Sequence, residues 1–458
     1  MEAERSASTR YVPSNQLPAS TSLQRAEQNG KFLARLGSVF LQIGQGAAFI
    51  GTDDNTGEAR VVKPGPPREA FEQLRKIFDS TSGFEALVSG NRVTLLHDGE
   101  QAFPAMLEAI AEAKREILLE MYWFASDAVG RQFAEALIVK ADAGVKVRVI
   151  YDAVGSIQSD RRMFASLRDA GCEVEEYNPI APWRSRFRIG VVNNRDHRKL
   201  LVVDRQVGFT GGVNLGDEWA PVSAGGGGWR DDTIRIEGPA VEQMCDIFDY
   251  GWLRIVEPQA LVRHRFGPPI DTGDGQGSRV RVLANHYFRE RRAIRQAYLR
   301  RIESARRSVC IANSYFVPDG RIRRVLAQAV ERGAEVRVIV PGKSDVPAVR
   351  HAARKLYGPL LQAGIQLYEW QGSILHSKTA VIDGRWCTVG TYNLDSRSLR
   401  FNLEVTAAVE DAAVAGAMED RFNEDLEHAK PVSYDEWRRR PLHERMLDNF
   451  FYRFRRLL

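Results

Sequence analysis

Cysteine is scarce and scattered. Four occur in 458 residues, Cys172, Cys245, Cys310 and Cys387, with no Cys-x-x-Cys among them. That excludes a cysteine metal cage and a small-domain disulfide framework, and it fits a reducing compartment. Long apolar runs are also missing. The nearest, residues 32–50, is interrupted by Arg35 and by Gly37, Gly44 and Gly46. Such a segment is a poor bilayer span and reads instead as an interfacial or core helix. The opening MEAERSASTR carries both charge signs with no apolar run beside it, so no secretory signal is expected. Neither sign of charge dominates: 64 Lys and Arg against 59 Asp and Glu leave a net +5. This mildly favours polyanions or anionic membrane surfaces and is too small to choose between them.

What the chain does have is a doubled motif. His-x-Lys-x₄-Asp occurs as His197, Lys199 and Asp204 and again as His376, Lys378 and Asp383. Both copies continue in register, with Gly211 and Gly390 fourteen residues after the histidines and Asn214 and Asn393 seventeen after. A neutral imidazole is a nucleophile and its cation an acid near neutral pH. A lysine two residues on along a strand lies on the same face. It can hold the non-bridging oxygens of a phosphodiester through the transition state. The asparagines add neutral donors. One site built from two halves is therefore expected, with one histidine attacking phosphorus and the other protonating the leaving oxygen. A lysine between His and Asp would repel a divalent cation, so the two lysines are expected to supply the electrostatics with no metal and no cofactor.

The text around the motifs repeats as well. AKREILLEMYWF (113–124) corresponds to ARRSVCIANSYF (305–316), and AGVKVRVI (143–150) to RGAEVRVI (332–339). Helix-period stretches at 102–114, 131–143 and 161–170 alternate with strand-length runs at 117–124, 145–151 and 173–177, which predicts an α/β layered sandwich. A chain with 44% hydrophobic and 27% charged residues and this length is globular and exceeds one core. The division expected is an amino-terminal extension over 1–92, partly disordered, domain 1 over 93–255, and a Pro/Gly/Asp-rich linker over 256–278. Domain 2 follows over 279–430, with a basic-aromatic tail over 431–458.

The doubled motif resembles that of the phospholipase D superfamily. The stretches HRKLLVVDRQVGFTGGVNLGDEW, WRDDTIRIEGPAV, IANSYFVPDGRIRRVLAQAVERGAEVRVIVPGKSD and LHSKTAVIDGRWCTVGTYNLDSRSLRFNLE resemble the bacterial cardiolipin synthases, in the subtype lacking amino-terminal transmembrane helices. The resemblance spans roughly residues 90–430. It implies two tandem phospholipase D-like α/β sandwich domains related by a pseudo-two-fold axis. It also implies a phosphatidyltransferase that joins two phosphatidylglycerol molecules, releases glycerol and passes through a phosphatidyl-histidine. On that analogy His197 is the nucleophile and His376 the acid and base, with the reverse assignment open. Asp204 and Asp383 are counted with the motif's catalytic residues, although they end their strands and could be structural. The carboxylates expected to orient the imidazoles are Asp231 for His197, with Asp232 as competitor, and Glu404 for His376. The implied partners are phosphatidylglycerol and an anionic membrane surface, peripherally and on the cytoplasmic side of the cell membrane, with no nucleic acid. Water, which gives a phospholipase D, or another alcohol as acceptor remains open, and a nuclease is the more distant alternative. Two basic-aromatic segments, Pro182-Trp-Arg-Ser-Arg-Phe-Arg188 and the terminal FFYRFRRLL, suit either a bilayer surface or, respectively, a solvated loop and terminal packing.

Overall fold

The computed structural model describes residues 49–52, 59–62, 87–180, 193–257, 276–285 and 292–457. Residues 32–48 of the apolar stretch, the arginine-aromatic segment at 182–188 and most of the interdomain stretch at 256–278 lie outside the described residues; the last two residues of the apolar stretch belong to a strand. The chain forms two compact units, Met1–Ser82 and Gly83–Leu458. In the first, β1 (Phe49–Thr52) pairs antiparallel with β2 (Ala59–Val62).

The second unit holds both motif copies in one fifteen-stranded sheet. Its first half comprises β3 (Val88–His97), α1 (Asp98–Glu112), β4 (Glu116–Met121), α2 (Ala128–Asp142), β5 (Lys146–Asp152), α3 (Arg161–Asp169), β6 (Glu173–Tyr177), β7 (Lys199–Val203), β8 (Val207–Gly211), β9 (Asp232–Glu237) and α4 (Ala240–Val256). The second half repeats the order with β10 (Ser278–Asn285), α5 (Ala293–Ser304), β11 (Ser308–Asn313), α6 (Gly320–Glu331), β12 (Glu335–Pro341), α7 (Pro347–Gln362), β13 (Gln366–Trp370), β14 (Lys378–Ile382), β15 (Trp386–Gly390), α8 (Ser396–Arg400), β16 (Glu404–Glu410) and α9 (Ala412–Glu427). Then come β17 (Ala429–Pro431), α10 (Tyr434–Arg438) and α11 (Leu442–Arg453).

The strand order shows the duplication. From the centre outward one side runs β3-β9-β8-β7-β4-β5-β6 and the other β10-β16-β15-β14-β11-β12-β13-β17, with β3 and β10 paired antiparallel at the junction. Each half has a parallel trio, β4-β5-β6 or β11-β12-β13, joined by helical crossovers. Strands covered on both faces read as continuous apolar runs. β5 illustrates this, with six of its seven residues buried. Helix starts follow the sequence too: Asp127, Asp319 and Asp411 cap α2, α6 and α9 by accepting the first free backbone N–H groups.

Three layers of core result. One outer face of the first half is covered by α1, α2 and α3, and one outer face of the second by α5, α6 and α7. The opposite face of both halves packs against α4 and α9 in a single continuous cluster that includes Phe248, Met244, Met418 and Phe422. The halves therefore share a core as well as a sheet. Gly211 and Gly390, the repeated glycines after the motifs, end β8 and β15 where the neighbouring strand passes too close for a side chain. A Cβ at Gly211 would collide with the backbone of Asp232 and Thr233, and one at Gly390 with that of Thr406 and Val405.

A buried ion pair ties the halves together. Arg230, just before β9, donates from Nε and Nη2 to the two carboxylate oxygens of Asp425 in α9, both at 2.8 Å, and approaches Asp232 at 2.9 Å. Removing one partner of such a pair leaves a buried charge uncompensated. Arg230→Met or Asp425→Leu alone should lower unfolding stability by about 3–5 kcal/mol, and the double variant should recover much of that loss. Denaturant unfolding of the three variants checks this, and single variants within about 1 kcal/mol of wild type would refute the role.

Candidate active site

The motif residues meet at the junction of the halves. His197 and Lys199 lie two apart at the start of β7, and His376 and Lys378 at the start of β14. All four are buried. Two short parallel backbone bridges hold the histidines in place. In one, His197 N donates to Leu403 O at 3.0 Å and Leu403 N to Arg195 O at 2.9 Å. In the other, His376 N donates to Arg230 O at 2.8 Å and Arg230 N to Ile374 O at 2.9 Å. Each bridge joins the approach to one motif with the residue just before a carboxylate of the opposite half.

The orienting pairs are consequently crossed. His197 Nδ1 lies 3.0 Å from Glu404 Oε2, and His376 Nδ1 lies 2.7 Å from Asp231 Oδ2. This corrects the sequence-based pairing of His197 with Asp231 and His376 with Glu404: each imidazole takes the carboxylate of the other half. The competitor, Asp232, points elsewhere. It accepts from Ser377 Oγ at 2.6 Å and approaches His97 at 3.1 Å and Arg230 at 2.9 Å. Glycine is needed beside Asp231, because a Cβ on Gly212 would overlap its carboxylate.

Asp204 and Asp383 are also corrected, from catalytic residues to structural ones. Each follows the far end of its motif strand in a left-handed turn, with φ of 53° and 55°. Asp204 accepts from the backbone N–H of Lys114, Arg115 and Glu116 at 2.8–2.9 Å. Asp383 does the same with Arg306, Arg307 and Ser308. They fasten β7 to β4 and β14 to β11, one strand length from the imidazoles.

Asn214 and Asn393 remain at the site. Asn214 Oδ1 accepts from Trp123 N at 3.2 Å, and Asn393 Oδ1 from Ser314 Oγ at 2.8 Å. Those contacts leave the NH₂ end of each amide to donate. Several neighbours carry no signal in the motif itself. The Tyr122 ring meets His197 edge-on at 4.8 Å, and Lys199 Nζ lies 5.2 Å from its centroid. Trp219 and Trp229 lie 5.3 and 5.7 Å from His376. Trp219 Nε1 also donates to the Asp231 oxygen that faces His376, at 2.9 Å, whereas Thr391 Oγ1 fills that place on Glu404. The only sequence hint was their position, Trp219 in NLGDEW and Thr391 in GTYN, within the repeated text.

Burial sets the electrostatics. It pushes His197 down to about 4 against the pull of Glu404, so the ring is neutral at neutral pH with Nδ1–H donated to the carboxylate and Nε2 free. Burial, then the charge of Lys378, brings Lys199 down to about 7. Lys378 is lowered by burial too, against Asp231 and Asp345. Lys199 Nζ donates to His197 O at 2.9 Å, and Lys378 Nζ to His376 O. Two buried lysines, the charge of one acting on the other, favour a bound anion. Among the described residues no group of three or more His, Cys, Asp or Glu side chains is placed to hold a metal ion.

Glu404→Gln should perturb the imidazole ¹⁵N signals of His197 and leave those of His376, and Asp231→Asn should do the opposite, with activity falling about 10–100-fold in each. The reverse pattern of shifts would restore the uncrossed pairing. An anion between the lysines raises the Lys199 pKa from about 7, so above that pH its binding must take up protons. Titration calorimetry with tungstate at pH 8 in Tris and in HEPES should show an uptake approaching about one proton, and an enthalpy independent of the buffer would refute the charge coupling.

A family model described as "Cardiolipin synthase, PLD-like domain" matches residues 106–220 and 298–426, one stretch in each half. The chain is 35% identical over 359 residues to the cardiolipin synthase of Geobacillus thermodenitrificans, covering 78% of this chain and 71% of that one. It is 33% identical over 362 residues to cardiolipin synthase 1 of Bacillus cereus, with 78% and 70% covered. The fold matches the crystal structure of phosphatidylserine synthase from Haemophilus influenzae with a TM-score of 0.65 at 16% identity, over 84% of this chain and 99% of that one. With the family model repeated in both halves and relatives above 30% identity over most of their length, the chain belongs to the phospholipase D-like cardiolipin synthase family.

Proposed function

We propose that this phosphatidyltransferase makes cardiolipin by moving a phosphatidyl group from one phosphatidylglycerol to another through a phosphatidyl-histidine. The reading rests on one observation above the others: two buried imidazoles, each held at Nδ1 by a carboxylate of the opposite half, lie within electrostatic reach of two buried lysines. That is an attacking nitrogen, an acid-base partner and a counter-charge for phosphate, assembled only when both halves are present.

In the first step His197 Nε2 attacks phosphorus while the bond from phosphorus to the glycerol headgroup oxygen breaks. His376, as the imidazolium that Asp231 favours against burial and Lys378, gives its Nε2 proton to that oxygen, and glycerol departs. Lys199, Lys378 and the amides of Asn214 and Asn393 hold the non-bridging oxygens as charge builds. In the second step neutral His376 takes the proton of a headgroup hydroxyl on a second phosphatidylglycerol. The new oxygen-phosphorus bond forms, the phosphorus-nitrogen bond breaks, and His197 is restored. Two phosphatidylglycerols give one cardiolipin and one glycerol. A phospholipid substrate implies work at a membrane surface, and the enzyme is assigned there peripherally, on the cytoplasmic side. Among the described residues no helix is long and apolar enough to cross a bilayer.

The test is chemical trapping. A brief reaction with doubly labelled phosphatidylglycerol should leave acyl label, without headgroup label, on the peptide containing His197, as an acid-labile phosphoramidate. His376→Ala should slow turnover by about 10²–10⁴-fold and prolong the adduct's life, while His197→Ala should abolish the adduct. Label on the His376 peptide would exchange the two roles. Absence of label on both, under rapid quench, would overturn the covalent route. Phosphatidic acid as the sole product would make water the acceptor.

A further inference from the structure

The carboxyl-terminal segment is helical, and it is packed on one side only. The inner face of α11 is fixed to α7: Asp448 accepts from His351 at 2.8 Å and from Arg440 at 2.8 Å, Glu444 from Arg354 at 2.6 Å, and Phe451 stacks on His351. The outer face is apolar and open. Leu442 (69% exposed), Met446, Phe450 and Phe454 (46%) recur every four residues, with Leu447 beside them and Leu457 beyond. Of the eleven exposed large hydrophobic side chains among the described residues, six lie on this segment. A concentration of that kind on one helix face marks a contact surface, whereas apolar residues scattered singly need no explanation.

Charge identifies the occupant. Both acidic side chains of the helix, Glu444 and Asp448, turn inward to basic partners. Arg453 and Arg456 are exposed beside the apolar stripe and have no acidic partner among the described residues. An apolar face flanked by unneutralised arginines suits an anionic bilayer, into which such a helix sinks to the level of the headgroups. Its position adds a second argument. Leu457 O lies 3.4 Å from Arg397 Nη1, which also donates to Asn193 at 3.0 Å, four residues before His197, and whose charge acts on Tyr122 at the His197 ring. Three of the remaining exposed apolar residues also sit on loops leaving the site. Ile157 follows β5, whose Asp152 holds the backbone of Asp196; Val222 follows Trp219; Val346 adjoins Asp345, the acceptor for Tyr315. Exposed apolar side chains thus stand both on α11 and on three loops that adjoin the site.

We propose that the outer face of α11 docks flat on an anionic phospholipid bilayer and sets the mouth of the two-histidine site against the headgroups. The inference rests on the reading of the substrate as a bilayer phospholipid, and the two are separable. Transfer by the wild-type protein on detergent-dispersed phosphatidylglycerol tests the substrate; vesicle binding tests the helix.

All four native cysteines are buried, so an environment-sensitive dye can be placed selectively on Phe450→Cys in the full chain. On vesicles of phosphatidylcholine with phosphatidylglycerol its emission should shift to the blue, less so on phosphatidylcholine alone. The same dye on Val139→Cys, exposed on α2, should not respond. The triple variant Met446→Glu, Phe450→Glu and Phe454→Glu should bind the mixed vesicles about tenfold more weakly or worse. It should keep its thermal midpoint and its turnover on detergent-dispersed substrate. Equal vesicle binding by the triple variant, or an unchanged Phe450→Cys dye on the mixed vesicles, would overturn the proposal. So would a dye shift without lipid that grows with protein concentration, which would make a second copy of the chain the occupant.

Discussion

Two backbone bridges, one joining Asp196 with Leu403 and the other Arg230 with Leu375, govern the rest of the site. Each consists of a pair of hydrogen bonds crossing from one half of the sheet to the other. They carry no side-chain chemistry, yet they decide which carboxylate meets which imidazole. Leu403 precedes Glu404, and Arg230 precedes Asp231, so anchoring a motif segment to its neighbour's backbone brings the neighbour's carboxylate to Nδ1. Neither half can orient its own histidine. The duplication has thus become an obligatory partnership, and the shared core under α4 and α9 holds the two halves in the register that the partnership requires.

The same closeness creates an electrostatic cost. Lys199 and Lys378 are both buried, and burial lowers the proton affinity of each, with the charge of Lys378 lowering that of Lys199 further. Glu404 and Asp231 offset part of this by favouring the charged lysines, while being themselves committed to the imidazoles. A site in this condition is poised for an anion, since a phosphodiester restores the missing negative charge where water would do so poorly. Preorganised cations need little rearrangement as charge develops on the non-bridging oxygens.

The two half-sites are not copies in detail. Arg198, between His197 and Lys199, faces away from the site into a buried cluster with Asp196 and Glu120. Its counterpart, Ser377, makes a short bond to Asp232 instead. Trp219 supports Asp231, and Thr391 supports Glu404. Aromatic walls of different size therefore surround the two imidazoles, Tyr122 on one side and Trp219 with Trp229 on the other. Such differences allow two chemically identical groups to serve different steps.

The sequence by itself determined the local geometry. Spacing of two along a strand places His197 with Lys199 and His376 with Lys378 on common faces, and alternating helix and strand periods determined the α/β layers, because these depend only on neighbours in the chain. It also marked Asn214 and Asn393 by their fixed distance from the motif histidines, while Asp231 and Glu404 were marked by the family resemblance. The tertiary structure alone decided how the halves combine. The crossed pairing of His197 with Glu404 and His376 with Asp231 depends on sheet order and on bridges between residues about two hundred and about 145 positions apart. The motif aspartates could not be separated from the catalytic groups by spacing, since only the fold shows Asp204 and Asp383 binding backbone N–H groups at the opposite strand end. The terminal helix was ambiguous for a similar reason: its composition fits both packing and an open apolar face, and contact with α7 shows that it does one on each side.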